Sequence, residues 1–355
     1  MTTAAFLDPG DARWTRFLAH VPHDVYHLPS YVQVAALHEG GLPTAFYAEI
    51  DGVAGLAPLL LRPLPAPLEA PSHWVDATSP YGYPTPLWST SDRPAAITGR
   101  FFELFRRHAQ ARGLVTAFFR LHPLLPVPYE ALPQHGTLVR HGRTIYIDLT
   151  TTTDAGAQQL RTNHRRDLRR LLHGGYTARV DAWEDYEAFI NLYTSTMQRV
   201  GADPFYFMPR PYFEDLRNGL PDHLHLCTVY APGGTVAAAG LFTAADGIVQ
   251  YHLSGTAPDH LSSSPLKLVL VAMRDWARAA GYRVFHLGGG VGSSADALFH
   301  FKTGFAQTQA DFYTYRMVID TEKEALLARR HEAAALATGR QIASGYFPSY
   351  RSRFL

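Results

Sequence analysis

The 355-residue chain has one cysteine, Cys227, and lysine only at positions 267, 302 and 323. A lone thiol excludes an intrachain disulfide and any cysteine-rich zinc site, and in the apolar run HLHLCTVY it reads as a buried, inert group. No apolar run approaches the roughly 18 residues of a membrane span. The opening MTTAAFLDPGDARW lacks the basic and apolar regions of a secretory signal, so a cytoplasmic location is expected. The 18 histidines are scattered without H-E-x-x-H or comparable ligand spacing, and no metal is expected. No G-x-S-x-G elbow accompanies HLGGG, which removes a lipase-type reading. GGGVGSS leads into no βαβ unit with a ribose-binding acid, which removes a dinucleotide site. A net charge of +1 gives no global pull on nucleic acid; such a partner has to be met by a local patch.

What is present describes a well-buried globule. Apolar residues make up 46% and charged residues 18% of the chain, and the length suits two cores. PTAFYAEIDGVAGLAPLLLRPL reads as two strands turning at Asp51-Gly52, which tolerate positive φ. PAAITGRFFELFRRHAQARG follows as a helix stopped by Gly113, then the strands VTAFFRLHP and RTIYIDL. After a polar link, TTTDAGA, the second half repeats the scheme. It has a basic helix, the strand YTARVDAW and the helix DYEAFINLYTSTMQRV, then hairpin strands broken at Pro232-Gly233-Gly234 and Asp246-Gly247. The helix PLKLVLVAMRDWARAAG, the strand YRVFHLG and a last strand FYTYRMVID complete it. Both halves show hairpin strands, a helix and a further strand, as an internal duplication would.

The order of elements from Thr228 to Ile319 is that of the GNAT acyltransferase fold. Where acyl-CoA enzymes of that fold carry [QR]-x-x-G-x-[GA], the chain reads GTAPDHLSSSPLK, without the glycines and with Pro265 removing a donor. With two GNAT-like halves, the strings LRTNHRRDLRRLLHGGY, TSTMQRVGADPFYF, YHLSG, HLGGG and FKTGF make the chain resemble the Fem family of non-ribosomal peptidyltransferases. The resemblance implies an α/β (α+β) fold of two tandem GNAT-like subdomains with mixed sheets flanked by helices. These would be residues 1–150 and 151–320, with 321–355 returning to the first and substrates along a cleft between them. It implies an aminoacyltransferase that takes its amino acid from charged tRNA and gives it to an amine of a nucleotide- or lipid-linked peptidoglycan precursor, without a bound cofactor. A lipid-linked substrate would bring the protein to a membrane surface. Two other readings stand beside it: a GNAT N-acyltransferase using acyl-CoA or a carrier-protein thioester, and a non-catalytic RNA- or precursor-binding protein.

Lys302 is the first candidate residue. Aminoacyl transfer needs an oxyanion stabilised, and the family pattern at Phe301-Lys302 puts this lysine at the reaction centre, with a surface lysine as the plain alternative. The resemblance also implies substrate contacts for Arg199, Tyr206, Tyr251 and Phe301, and for Tyr81 and Tyr83 in the loop DATSPYGYPTPLW. For Arg199 the alternative is a helix C-terminus favoured by the macrodipole; for the tyrosines it is packing. At 100° per residue Arg161, Arg165, Arg166, Arg169 and Arg170 fan over one side of a helix opposite Leu160, Leu168 and Leu171. That face is either solvated or a contact for phosphates. Asp296 reads as a helix cap.

Overall fold

The computed structural model describes residues 2–90, 95–151 and 160–354; all but the first residue of the polar link TTTDAGA lies outside them. The strands along the chain are β1 (Thr2–Leu7), β2 (Leu42–Ile50), β3 (Val53–Pro63), β4 (Val75–Thr78), β5 (Leu87–Trp88), β6 (Leu114–Arg120), β7 (Thr137–Asp148), β8 (Thr177–Val180), β9 (Leu224–Tyr230), β10 (Val236–Ala245), β11 (Ile248–Thr256), β12 (Val284–Gly288) and β13 (Gln309–Val318). The α-helices are α1 (Ala12–Leu18), α2 (Pro29–Glu39), α3 (Ala95–Ala111), α4 (Thr162–His173), α5 (Tyr186–Val200), α6 (Arg210–Gly219), α7 (Leu266–Ala279), α8 (Ala297–Lys302) and α9 (Thr321–Ala337). None of them is long and apolar enough to cross a membrane. Two compact units result, one of residues 1–141 and 312–355, the other of residues 142–311.

In the first unit β1, β2, β3 and β4 pair antiparallel, β4 pairs parallel with β6, and β6 pairs antiparallel with β13. In the second, β8, β9, β10 and β11 pair antiparallel, β11 pairs parallel with β12, and β12 pairs antiparallel with β7. The two ladders repeat each other, which is the duplication legible in the sequence. Their tight hairpins use the expected turn chemistry: Asp51 and Gly52 have φ of 51° and 83°, Asp246 and Gly247 of 37° and 84°. Two consecutive positive-φ residues give the twist that joins right-twisted strands.

Aromatic residues dominate the core of the first unit. Phe101, Phe102 and Phe105 of α3 are fully buried with Phe46 and Phe119 of the sheet, each contributing about 1.5 to 3 kcal/mol by leaving water. A smaller cluster joins Leu327 of α9 and Tyr350 to Leu68 and Val115, so the C-terminal segment belongs to this unit. The core of the second unit is more aliphatic, with Val269, Leu270 and Met273 of α7 against Val229, Phe242 and Phe285. Cys227 lies there, its Sγ 3.6 Å from the carbonyl of Val269. Burial pushes its thiol up to about 12, which leaves it protonated and inert.

Candidate active site

β11 and β12 pair only at Ile248–Gln250 against Val284–His286. Because β11 runs on to Thr256 and β12 to Gly288, the strands part beyond that point and leave an opening along the backbone edge of β11. A bulge shapes it. Leu241 opposes Leu253 while Phe242 opposes Tyr251, so His252 is the extra residue. Residues three apart on a regular strand point to opposite faces; the bulge brings Tyr251 and Ser254 to one face, where their hydroxyls touch.

Lys302 reaches this face by way of the glycine run. Gly288 leaves β12 at φ 74°. Asp296 starts α8, as the cap read from the sequence: its carboxylate accepts the N–H of Phe299 at 2.8 Å and reaches back to that of Val291 at 3.0 Å. A Cβ on Gly290 would stand 2.3 Å from that carboxylate and 2.2 Å from the carbonyl of Ser294, so the closed loop admits only glycine. The short helix then turns Lys302 inward. Its Nζ donates to the carbonyl of Gly289 at 2.6 Å and stands 5.5 Å from the centre of the Tyr251 ring. With only 6% of the residue exposed, burial pushes the Lys302 pKa down to about 8 against the opposing charge of Asp296. Ion pairs of lysine among the described residues are those of Lys267 and Lys323. Phe301 packs with Phe305 at 5.3 Å and with His164 at 5.5 Å.

The basic helix α4 supports α8. Its five arginines, from Arg161 at the N-cap to Arg170, are exposed, while Leu168 and Leu171 are buried with Leu160. Two polar residues share the buried side. His164 Nε2 meets the carbonyl of Phe301 at 3.1 Å, and a Cβ on Gly304 would fall 2.2 Å from that ring. Asp167 accepts from Lys267 Nζ at 2.5 Å; that hydrogen bond outweighs burial and holds the carboxylate below its usual range. Arg161 adds a hydrogen bond to Thr303 Oγ1 at 2.8 Å.

α5 covers the other face of β11, since a Cβ on Gly255 would lie 2.3 Å from the backbone of Leu192 and Gly255 neighbours Ser254. Arg199, exposed in the last turn of α5, donates to Thr196 Oγ1 at 3.3 Å; the same oxygen accepts the N–H of Thr256 at 3.2 Å. Tyr206 is half-buried in a short 3-10 turn, and its carbonyl accepts Tyr193 Oη at 2.6 Å. The structure thus brings Lys302 to Tyr251 and holds Arg199 and Tyr206 with the helix on the opposite face. Two polar pairs that the sequence did not single out lie on that face: Tyr212 Oη with His252 Nε2 at 3.0 Å, and His286 Nδ1 with Gln250 Oε1 at 2.7 Å. Burial lowers His252 to about 4.

Tyr81 and Tyr83 belong to the first unit, where their loop is pinned. The carbonyl of Tyr81 accepts Tyr31 Oη at 2.8 Å, and its N–H donates to Glu39 at 2.8 Å. Gly82, at φ 106°, lies where a Cβ would enter the Tyr26 ring at 2.2 Å. Burial pushes Glu39 up to about 7.

The segment after β11, expected to be a poor pyrophosphate cradle, turns several of its amides inward. Those of His260, Ser264, Lys267, Leu268 and Val269 donate to carbonyls of residues 257–265 at 2.9 to 3.2 Å, and Pro258 and Pro265 have none to give.

Residues 158–303, which include Tyr251 and Lys302, match the acetyltransferase (GNAT) domain family. No curated protein sequence matches the chain. Among solved structures, FemX superposes with a TM-score of 0.68 at 14% identity, covering 88% of this chain and 96% of its own. L-PGS from Bacillus licheniformis gives 0.57 at 15%, covering 91% and 97%. The C-terminal domain of a putative lysylphosphatidylglycerol synthetase from Agrobacterium fabrum gives 0.55 at 16%, covering 91% and 95%. At these identities the likeness is one of fold.

Proposed function

We propose that this acyltransferase moves an amino acid from the ester of a charged tRNA to an amine on the peptide of a nucleotide- or lipid-linked peptidoglycan precursor, the reaction that builds interpeptide bridges. The observation that carries the reading is Lys302, a buried lysine without an ion-pair partner among the described residues, held on Gly289 beside a segment that turns the amides of Lys267, Leu268 and Val269 onto its own carbonyls. In the reaction the amine attacks the ester carbonyl, the new C–N bond replaces the C–O bond, and the proton lost by the amine leaves with the ribose hydroxyl. Negative charge gathers on the carbonyl oxygen in between. An ammonium has three N–H donors; Gly289 takes one, which leaves Lys302 donors for that oxygen in a site of low dielectric where they act strongly. Tyr251 beneath the ammonium and Arg199 and Tyr206 on the other face of β11 are the substrate-binding residues of this reading.

The donor assignment rests on what replaces the CoA loop. Helix amides that bind pyrophosphate must be free, and here those of Lys267, Leu268 and Val269 are satisfied within the segment. The lysine at the start of α7 is turned onto Asp167. The exposed arginine face of α4 is instead the cationic surface suited to a polyanion such as tRNA. The shared fold with FemX and with lysylphosphatidylglycerol synthetases, the latter named for an aminoacylated lipid, supports an aminoacyl donor. The GNAT domain match keeps an acyl-CoA donor as the rival. Titration of the protein with acetyl-CoA and with charged tRNA separates them: the expected result is binding of charged tRNA alone, and tight binding of acetyl-CoA without affinity for tRNA overturns the donor assignment.

A further inference from the structure

The face of the first unit's sheet turned away from α3 carries two guanidiniums whose donors are largely unspent. Arg120 of β6 lies opposite Thr314 of β13, and Arg316 lies two residues further along β13, opposite Phe118. Arg120 and Arg316 are therefore diagonal neighbours on one face, about 7 to 8 Å apart and somewhat closer between Cβ atoms, within reach of long side chains. Their mates on that face are polar as well. His141 Nε2 meets Thr314 Oγ1 at 2.7 Å; burial, with the charges of Arg316 and Arg120, holds its imidazole below the usual pKa.

Arg120 is stacked among aromatic rings, its guanidinium carbon 5.2 Å from the centre of Tyr81, 5.8 Å from Tyr83 and 5.0 Å from Phe312. Stacking occupies the faces of a guanidinium and leaves its in-plane donors free. One of these, Nε, donates to the carbonyl of Gly82 at 2.6 Å, which fixes the plane; the two Nη groups have no protein acceptor among the described residues. Arg316 is held by Phe347, 5.7 Å away, and by a long contact from Nη2 to Gly345 at 3.4 Å, and its Nε is buried with no acceptor. Neither arginine has an ion-pair partner among the described residues. The acid that does act on Arg120, Glu39, is engaged by the N–H of Tyr81. Fixed, partly desolvated guanidiniums with open forks match the two-oxygen edge of a carboxylate or phosphate.

We infer that Arg120 and Arg316 form an oxyanion-binding site on the first unit that takes a carboxylate or phosphate group of the acceptor, with Tyr81 and Tyr83 against the adjoining part of that molecule. The inference rests on the proposed reading for the identity of the acceptor and on the arginine geometry for the site itself. Calorimetric titration of the full chain with pyrophosphate and with N-acetyl-alanyl-alanine tests it and separates the two sources of the anion. At least one probe is expected to bind with millimolar or better affinity, and Arg120→Gln and Arg316→Gln each to weaken it at least tenfold while Arg120→Lys restores part. Binding of neither probe, or binding untouched by both substitutions, overturns the site. Should a variant not fold, the wild-type protein supplies the answer through arginine-selective dicarbonyl labelling read by peptide mass spectrometry. The bound probe is expected to slow labelling of Arg120 at least fivefold, and an unchanged rate overturns the site. Failure of charged tRNA to donate while these results hold would remove the donor assignment and leave this site standing.

Discussion

The ammonium of Lys302 and the carbonyl of Gly289 meet at 2.6 Å, so the glycine run after β12 and the lysine at the end of α8 are two ends of one closed loop. The carbonyl fixes the lysine, and the lack of a Cβ at Gly290 lets the loop close. Lys302→Met keeps much of the side-chain volume and removes the charge. It is expected to lower kcat by about 100-fold or more, in the range of losing one oxyanion donor, with folding intact by circular dichroism. Turnover within a few fold of wild type would remove Lys302 from the chemistry.

The same lysine sets a pH limit. Its folded pKa of about 8 lies below the ordinary 10.5, so the ammonium that the reaction uses is lost as pH rises through 8, and kcat is expected to fall there. For stability the sign is the reverse. Between about 8 and 10.5 the unfolded chain holds the extra proton, so this group makes the fold relatively more stable as pH rises across that window. A pH-rate profile of transfer, corrected for ester hydrolysis, checks the first point; a flat profile to pH 10 would contradict it.

Asp167 and Lys267 tie α4 to α7 through a buried contact of 2.5 Å. Asp167→Asn leaves a buried ammonium without its counter-charge, which is expected to cost about 3 kcal/mol, read by urea denaturation. Replacing both residues by Leu and Met is expected to recover most of it, because the cost lies in the stranded charge. A single substitution that is neutral would show that the pair is solvated.

Arg165 and Arg169 stand on the exposed side of α4. Replacing both by Gln is expected to weaken binding of tRNA and to reduce the slope of log K against log salt by about one to two, without change in melting temperature. An unchanged slope would return this helix to a solvated face.

Glu39, with its pKa raised to about 7 by burial, carries a desolvation cost when ionised. The folded state binds its proton more tightly than the unfolded chain between about 4.5 and 7, so this group's contribution to stability falls as pH rises through that range. Glu39→Gln keeps an acceptor for the N–H of Tyr81 and removes the charge. It is expected to stabilise the protein at pH 8 by on the order of 1 to 3 kcal/mol and to change little at pH 4. Equal effects at both pH values would contradict the assignment.

Much of this was legible in the sequence because it rests on local rules. The turns at Asp51-Gly52 and Asp246-Gly247, the amphipathic arginine helix and the cap at Asp296 each follow from a few adjacent residues. The family pattern at Phe301-Lys302 marked Lys302, and the rarity of lysine is a sign for Lys267 as well, since both of these lysines are buried. What the sequence hid depends on tertiary pairing. His164 lies within the basic string LRTNHRRDLRR, and its role shows only where α8 packs over it. Arg120 closes the strand read in VTAFFRLHP, and nothing local marks it as a site; its three rings come from a loop some forty residues earlier and a strand some two hundred residues later. The register of β6 on β13 makes the cluster.

The most direct test of the central claim is a single-turnover transfer assay with labelled aminoacyl-tRNAs and a nucleotide-linked pentapeptide precursor, run with wild type and Lys302→Met. The account expects label from at least one charged tRNA to appear in an amide of the precursor with wild-type protein and to be lost with the variant. Transfer from acetyl-CoA but from no charged tRNA, or transfer unaffected by the substitution, would contradict it.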